Sequence, residues 1–273
     1  FIGETVDFLV GEPLNVTDID VGPDGLMYFT IGGRGTRGGM YRIKYGDTVA
    51  KQETPKTVEQ VVAQPMRRSA WGRYALEQAK QIMGAEWERG LVTFARNTQA
   101  PAEQRIAALE ALQAHGPAPS LSLLKKLVKD ENADVRAFAV YLLGLHPLKS
   151  VKKPLTAALD DTDALVQRRT IESLVRAGWD TNVKVNANDA VVAKLIALLN
   201  SEDLYVRGSA RVALERTTRE AWAEQVLALA SAKEPRALIE GLVALIHTQK
   251  SAADMDAAAR AADAPQIGDP LAS

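Results

Sequence analysis

The sequence predicts a mainly α-helical protein, an α-solenoid of stacked helix pairs preceded by a small four-stranded antiparallel sheet. Three observations predict it. Residues 1–46 are short β-branched and aromatic runs cut by glycine turns. From residue 69 the apolar period changes to that of a helix. From residue 105 one helical pattern recurs five times, at intervals of 31, 31, 40 and 29 residues.

Four runs make the expected sheet: residues 5–10 (TVDFLV), 15–21 (NVTDIDV), 26–31 (LMYFTI) and 39–45 (GMYRIKY). Between the second and third lies Gly22-Pro23-Asp24-Gly25. Pro presets φ, Asp bonds its own backbone and Gly accepts a positive φ, so this is a strong hairpin signal. A glycine-rich loop, residues 32–39, joins the last two runs. It does not lead into a helix and lacks the Lys-Ser/Thr of a phosphate-binding loop, so it reads as a wide sheet loop. Four antiparallel strands in this span make one β-propeller blade, which exposes two faces and both edges. With Phe1 in place of a methionine, the chain is expected to be a fragment whose other blades precede it.

Residues 47–68 are polar and broken by Pro55 and Pro65, and read as a linker with a short strand or helix near 58–62. Trp71, Ala75, Leu76, Ala79 and Ile82 then share one helical face, and Trp87, Leu91, Phe94 and Ala95 the next. The repeat is anchored at Arg105, Arg136, Gln167, Arg207 and Arg236. Seven residues after each of the first four stands a leucine: Leu112, Leu143, Leu174 and Leu214. Second helices are expected at 121–128, 151–159, 191–199 and 221–230, with an extra loop at 179–190. The turns KDENAD, DDTD and NSED supply helix N-caps. Acidic turn, Val-Arg, then small and apolar residues resembles HEAT repeats, so the solenoid is placed at 69–264 and a tail at 265–273. Asp134 and Asp203 stand beside anchor arginines, which predicts a ladder of Asp–Arg contacts between repeats. The four tryptophans read as packing anchors.

Composition narrows the chemistry. There is no cysteine, which excludes disulfides, thiolate zinc sites, a cysteine nucleophile and c-type haem attachment within this chain. His115, His146 and His247 are far apart. No run of eighteen apolar residues is present, nor a signal-peptide pattern. The net charge of −1 gives no global pull towards nucleic acid or an anionic membrane. No catalytic, cofactor-binding or metal-ligating constellation is expected. The expected partner surface comprises Lys125, Lys126, Lys129, Lys152 and Lys153 on two second helices, with Arg34 in the glycine-rich loop. A solvated face accounts for the same lysine run.

Residues 13–45 (PLNVTDIDVGPDGLMYFTIGGRGTRGGMYRIKY) resemble the last blade of a glucose/sorbosone-dehydrogenase-like propeller. Residues 64–87 (QPMRRSAWGRYALEQAKQIMGAEW) and the repeats after them are similar to large exported bacterial proteins. In these a membrane-bound-dehydrogenase-type propeller precedes HEAT repeats and a cytochrome domain with a CxxCH haem site. The resemblance implies a periplasmic or extracellular parent using a quinone and c-type haem. It carries no catalytic or haem residue onto this chain, because the earlier blades and the cysteines are missing. The expected role is a non-catalytic spacer and interaction scaffold with protein partners or neighbouring domains. Two alternatives stay open: part of a quinone-dependent sugar or alcohol dehydrogenase, with Arg34 or Asp18 near the substrate mouth, and a nucleic-acid-binding HEAT protein using the lysine run. A phosphate-backbone binder would show more than the +2 of residues 51–273.

Overall fold

The computed structural model describes residues 3, 6–12, 14–33, 35, 37–44, 46, 53–179, 185–232 and 234–248. Arg34, part of the expected linker (47–52), the centre of the extra loop (180–184), the last stretch of the expected solenoid (249–264) and the tail lie outside the described residues. The chain divides into two compact units, Phe1–Pro119 and Ser120–Ser273.

In the first unit the strands β1 (Val16–Val21), β2 (Met27–Ile31) and β3 (Gly39–Ile43) pair antiparallel in the order β1-β2-β3. Register follows from the Gly22–Gly25 turn, which pairs Val21 with Met27. Gly25 takes φ +75°, its N–H bonds the Gly22 carbonyl at 2.9 Å, and Asp24 accepts from the Leu26 amide and the Tyr28 hydroxyl. The sheet has three strands among the described residues, not four. Val6, Phe8 and Val10 are exposed and unpaired. The physical reason is in the run itself. Phe8, Leu9 and Val10 are contiguous, so neither register puts all the apolar residues on one face. Phe29 is the one buried residue on the three strands, stacked on Tyr41 with ring centroids 5.3 Å apart.

Four helices complete this unit: α1 (Val58–Ala63), α2 (Ala70–Met83), α3 (Ala85–Arg96) and α4 (Ala102–His115). α1 settles the helix-or-strand alternative at 58–62. The Ser69 side chain caps α2 by accepting from the Gly72 amide, and its hydroxyl donates to the Met66 carbonyl at 2.8 Å. α2 buries Ala75, Leu76 and Ala79 with Gly72, while Ile82 faces solvent. Trp87 is buried as expected, its indole N–H donating to the Gly116 carbonyl at 3.0 Å.

The second unit holds α5 (Leu121–Leu127), α6 (Ala133–Leu143), α7 (Leu148–Ala158), α8 (Ala164–Arg176), α9 (Ala190–Leu198), α10 (Leu204–Glu215), α11 (Ala223–Ala232) and α12 (Pro235–His247). Leu143, Leu174 and Leu214 are buried, as their spacing from the anchors requires. The anchor helices form one row, α6 on α8, α8 on α10 and α10 on α12. The other helices form a second layer. Each packs on the anchor helix after it in the chain: α5 on α6, α7 on α8, α9 on α10, α11 on α12. Trp179 and Trp222 are fully buried in this unit.

Small residues permit the close row. A side chain added at Gly144, the C-cap of α6, would place its Cβ 2.7 Å from Ser173 Cβ and 2.8 Å from Ser173 Cα on α8. Gly208, inside α10, has nothing within 4 Å of that position. Two alanine substitutions therefore have opposite signs. Gly144→Ala is expected to cost about 1–3 kcal/mol by overpacking. Gly208→Ala is expected to gain about 0.5–1 kcal/mol from helix propensity alone. Urea unfolding monitored by circular dichroism reads both, and shifts of the same sign would refute this packing.

Candidate interaction face

The anchor side chains solve a local problem. Each turn between a second-layer helix and its anchor helix carries carbonyls with no helical partner. Arg136 Nη1 donates to the Asp130 and Glu131 carbonyls at 2.9 and 3.0 Å. Gln167 Nε2 donates to the Asp161 carbonyl at 2.7 Å, and Arg207 Nη1 to the Glu202 carbonyl at 3.1 Å. The other end of each turn is a side-chain cap: Asn132, Asp163 and Asp203 accept from the amides of Val135, Val166 and Val206. The same two-sided closure thus precedes α6, α8 and α10.

The expected ladder is present with different carboxylates. Arg136 makes a two-pronged contact with Asp161, in the next turn, at 2.8 and 2.9 Å. Arg207 and Arg211 both bond Glu240 on α12, at 3.2 and 3.0 Å. Asp134 is exposed at the start of α6 and Asp203 serves as a cap. Burial pushes the Asp161 carboxyl up. The Arg136 hydrogen bonds and charge, with the amides of Asp163 and Thr162, outweigh it and hold the group below the usual carboxylate range. The same contact raises Arg136.

Positioned by those turns, the outer face of the anchor row is rich in arginine, tyrosine and aliphatic side chains. Positions five and nine after each anchor carry Tyr141 and Leu145 on and after α6, Glu172 and Arg176 on α8, and Val212 and Arg216 on and after α10. Arg169 and Arg176 lie over the Tyr141 ring at 5.9 and 4.7 Å, and Arg168 lies over Tyr205 at 5.1 Å. Between α8 and α10 runs an open groove of about 570 Å³, its apolar lining including Ile171, Val175, Leu204, Val212 and Ala213 with Gly208 among them. Tyr205 is 64% exposed and Leu204 59%.

The lysines expected from the sequence as a partner surface lie on the other layer. Lys125, Lys126 and Lys129 are exposed on and just after α5, and Lys153 on α7, all in the second layer. Lys152 is tied within the unit, its Nζ 2.8 Å from the Asp189 carboxylate that caps α9. Arg34 lies outside the described residues, and Asp18 on β1 accepts from the neighbouring Ile19 amide. No group of three or more His, Cys, Asp or Glu able to hold a metal occurs among the described residues. No described helix is long and apolar enough to cross a membrane.

Comparison with known proteins agrees with the helical architecture. Residues 88–175 and 120–215 match the family model for HEAT repeats. The matched helices are HEAT repeats. No curated protein matches the chain. Among solved structures, the chain is similar to the crystal structure of an engineered protein from the Northeast Structural Genomics Consortium. The two are 20% identical, with a TM-score of 0.40 over 70% of this chain and 96% of that one.

The Arg136–Asp161 contact makes a pH-dependent contribution with a definite sign. A carboxyl held below its unfolded value stabilises the fold above about pH 4 and loses that contribution as pH falls through its folded value. Asp161→Asn is expected to cost about 2 kcal/mol at neutral pH. It is also expected to flatten the acid limb of stability, measured as urea midpoints across the acid range. An acid limb identical to wild type would rule out this role.

Proposed function

We propose that the chain is a non-catalytic interaction scaffold whose HEAT repeats present the α6–α8–α10 face to a protein partner. The observation that carries this reading is the composition of that face. Tyrosine and arginine, the residue types that supply the energetic centres of protein interfaces, sit together on one row beside exposed aliphatic side chains. In the finer form of the proposal, the repeats are a spacer within a larger exported protein with redox domains. Support for that form is the resemblance of residues 13–45 and 64–87, together with the exposed Val16, Ile19 and Met40 on the sheet. On this reading any quinone and haem chemistry belongs to other domains, since the chain has no cysteine for haem attachment.

The scaffold reading is tested by placing a photo-crosslinking amino acid at Tyr205 and, separately, at Lys153, then irradiating in an extract of the native host. Discrete protein conjugates are expected from position 205 and not from 153. Conjugates from 153 alone would move the interface to the second layer and defeat the proposal.

A further inference from the structure

The α8–α10 groove selects for a specific kind of partner. We propose that it receives an acidic amphipathic helix, with aliphatic side chains on the groove floor and carboxylates against the flanking arginines. This rests on the reading of the anchor row as an interaction face.

Charge complementarity carries the acidic half. Arg168, Arg211 and Arg216 line the groove together with one glutamate, Glu172, while Glu172 and Glu240 each serve two arginines. Glu172 takes Arg168 at 2.8 Å and Arg169 at 3.0 Å. Glu240 takes Arg207 and Arg211. Glu215 takes Arg211 at 2.7 Å and the His247 ring at 2.9 Å. The groove lining therefore carries more arginine than glutamate, while the whole chain carries −1. The guanidinium groups of Arg168, Arg169 and Arg176 lie over tyrosine rings. Stacking uses the face of a guanidinium and leaves its N–H edge for carboxylates, of which Glu172 takes one N–H each from Arg168 and Arg169.

The apolar floor carries the amphipathic half. Val175, Leu204 and Val212 line a surface that gains most by excluding water under aliphatic side chains. Nothing on this face is a strand edge, so a peptide lying here finds no backbone ladder and must satisfy its own amides. A helix does so, and presents anchors at i, i+3 or i+4 and i+7. Phosphate backbone is the poorer fit. Glu172 and Glu240 stand among the arginines, and the aliphatic floor has no role in backbone recognition.

The test uses the full chain and fluorescence anisotropy. The probe is a labelled peptide of about four helical turns, leucines on one face and Asp/Glu on the other. Controls are the same composition with leucines dispersed, a lysine-for-carboxylate version, and labelled duplex DNA. The amphipathic acidic peptide is expected to bind at least tenfold more tightly than either peptide control, and to weaken with added salt. Gly208→Phe fills the groove from a position with open space around its Cβ, and circular dichroism checks that the variant keeps its helices. That variant and Arg168→Gln, which removes a groove-lining cation, are each expected to lose about tenfold in affinity, whereas Lys153→Gln leaves it unchanged. Absence of binding, equal binding by Gly208→Phe, or a preference for DNA overturns the proposal. If the peptide fails while crosslinks persist at position 205, the acidic-helix inference falls and the scaffold reading stands.

Discussion

The second unit depends on how its turns are closed. Stacked helix pairs place a helix C-terminus and the next N-terminus close together in every repeat, and each leaves backbone groups without helical partners. Before α6, α8 and α10 two side chains close each turn. The anchor at Arg136, Gln167 or Arg207 reaches back five or six residues to the turn carbonyls, while Asn132, Asp163 or Asp203 takes an amide of the new helix. The register between the two layers is thereby set three times over. Apolar burial does the bulk of the stabilisation, but it is non-directional. The polar closure fixes which face of each anchor helix turns outward.

That orientation links fold to function. With the leucine of each anchor helix buried, positions five and nine after the anchor look outward, and Arg176 there meets Tyr141 across α8 and α6. Neighbouring repeats then act as one surface, because Arg169 of α8 reaches Tyr141 of α6 and Arg168 of α8 reaches Tyr205 of α10. Glu240 on α12 draws Arg207 and Arg211 together in the same way. The close approach at Gly144 and Ser173 keeps α6 and α8 near enough for the first of these contacts.

The repeat was legible in the sequence because its signals are local: the seven-residue step from anchor to leucine, the acidic turn and the Val-Arg pair. Helix positions and the burial of Trp87, Trp179 and Trp222 came with them. The candidate face was not legible by the same means. A run of lysines in sequence draws attention to α5 and α7, whereas Arg168, Arg176, Tyr141 and Tyr205 are dispersed and meet only when adjacent repeats stack. Aligning the repeats on their anchors and reading columns five and nine finds Tyr141 and Arg176, whereas Arg168 and Tyr205, one after and two before their anchors, come together only in the stack. The partner of Arg136 was missed for a related reason. Asp134 is nearer in sequence, but it is exposed in the first turn of α6, while Asp161 is delivered by the next repeat. The fourth strand failed because β-propensity without alternation has no face to bury.

Hydrogen-exchange mass spectrometry of the full chain, with and without the acidic amphipathic peptide, tests the central claim most directly. The account predicts added protection in residues 164–176 and 204–216, with little change in 121–127 and 148–158. Protection confined to the lysine-bearing second layer, with the α8 and α10 segments unaltered, would contradict it.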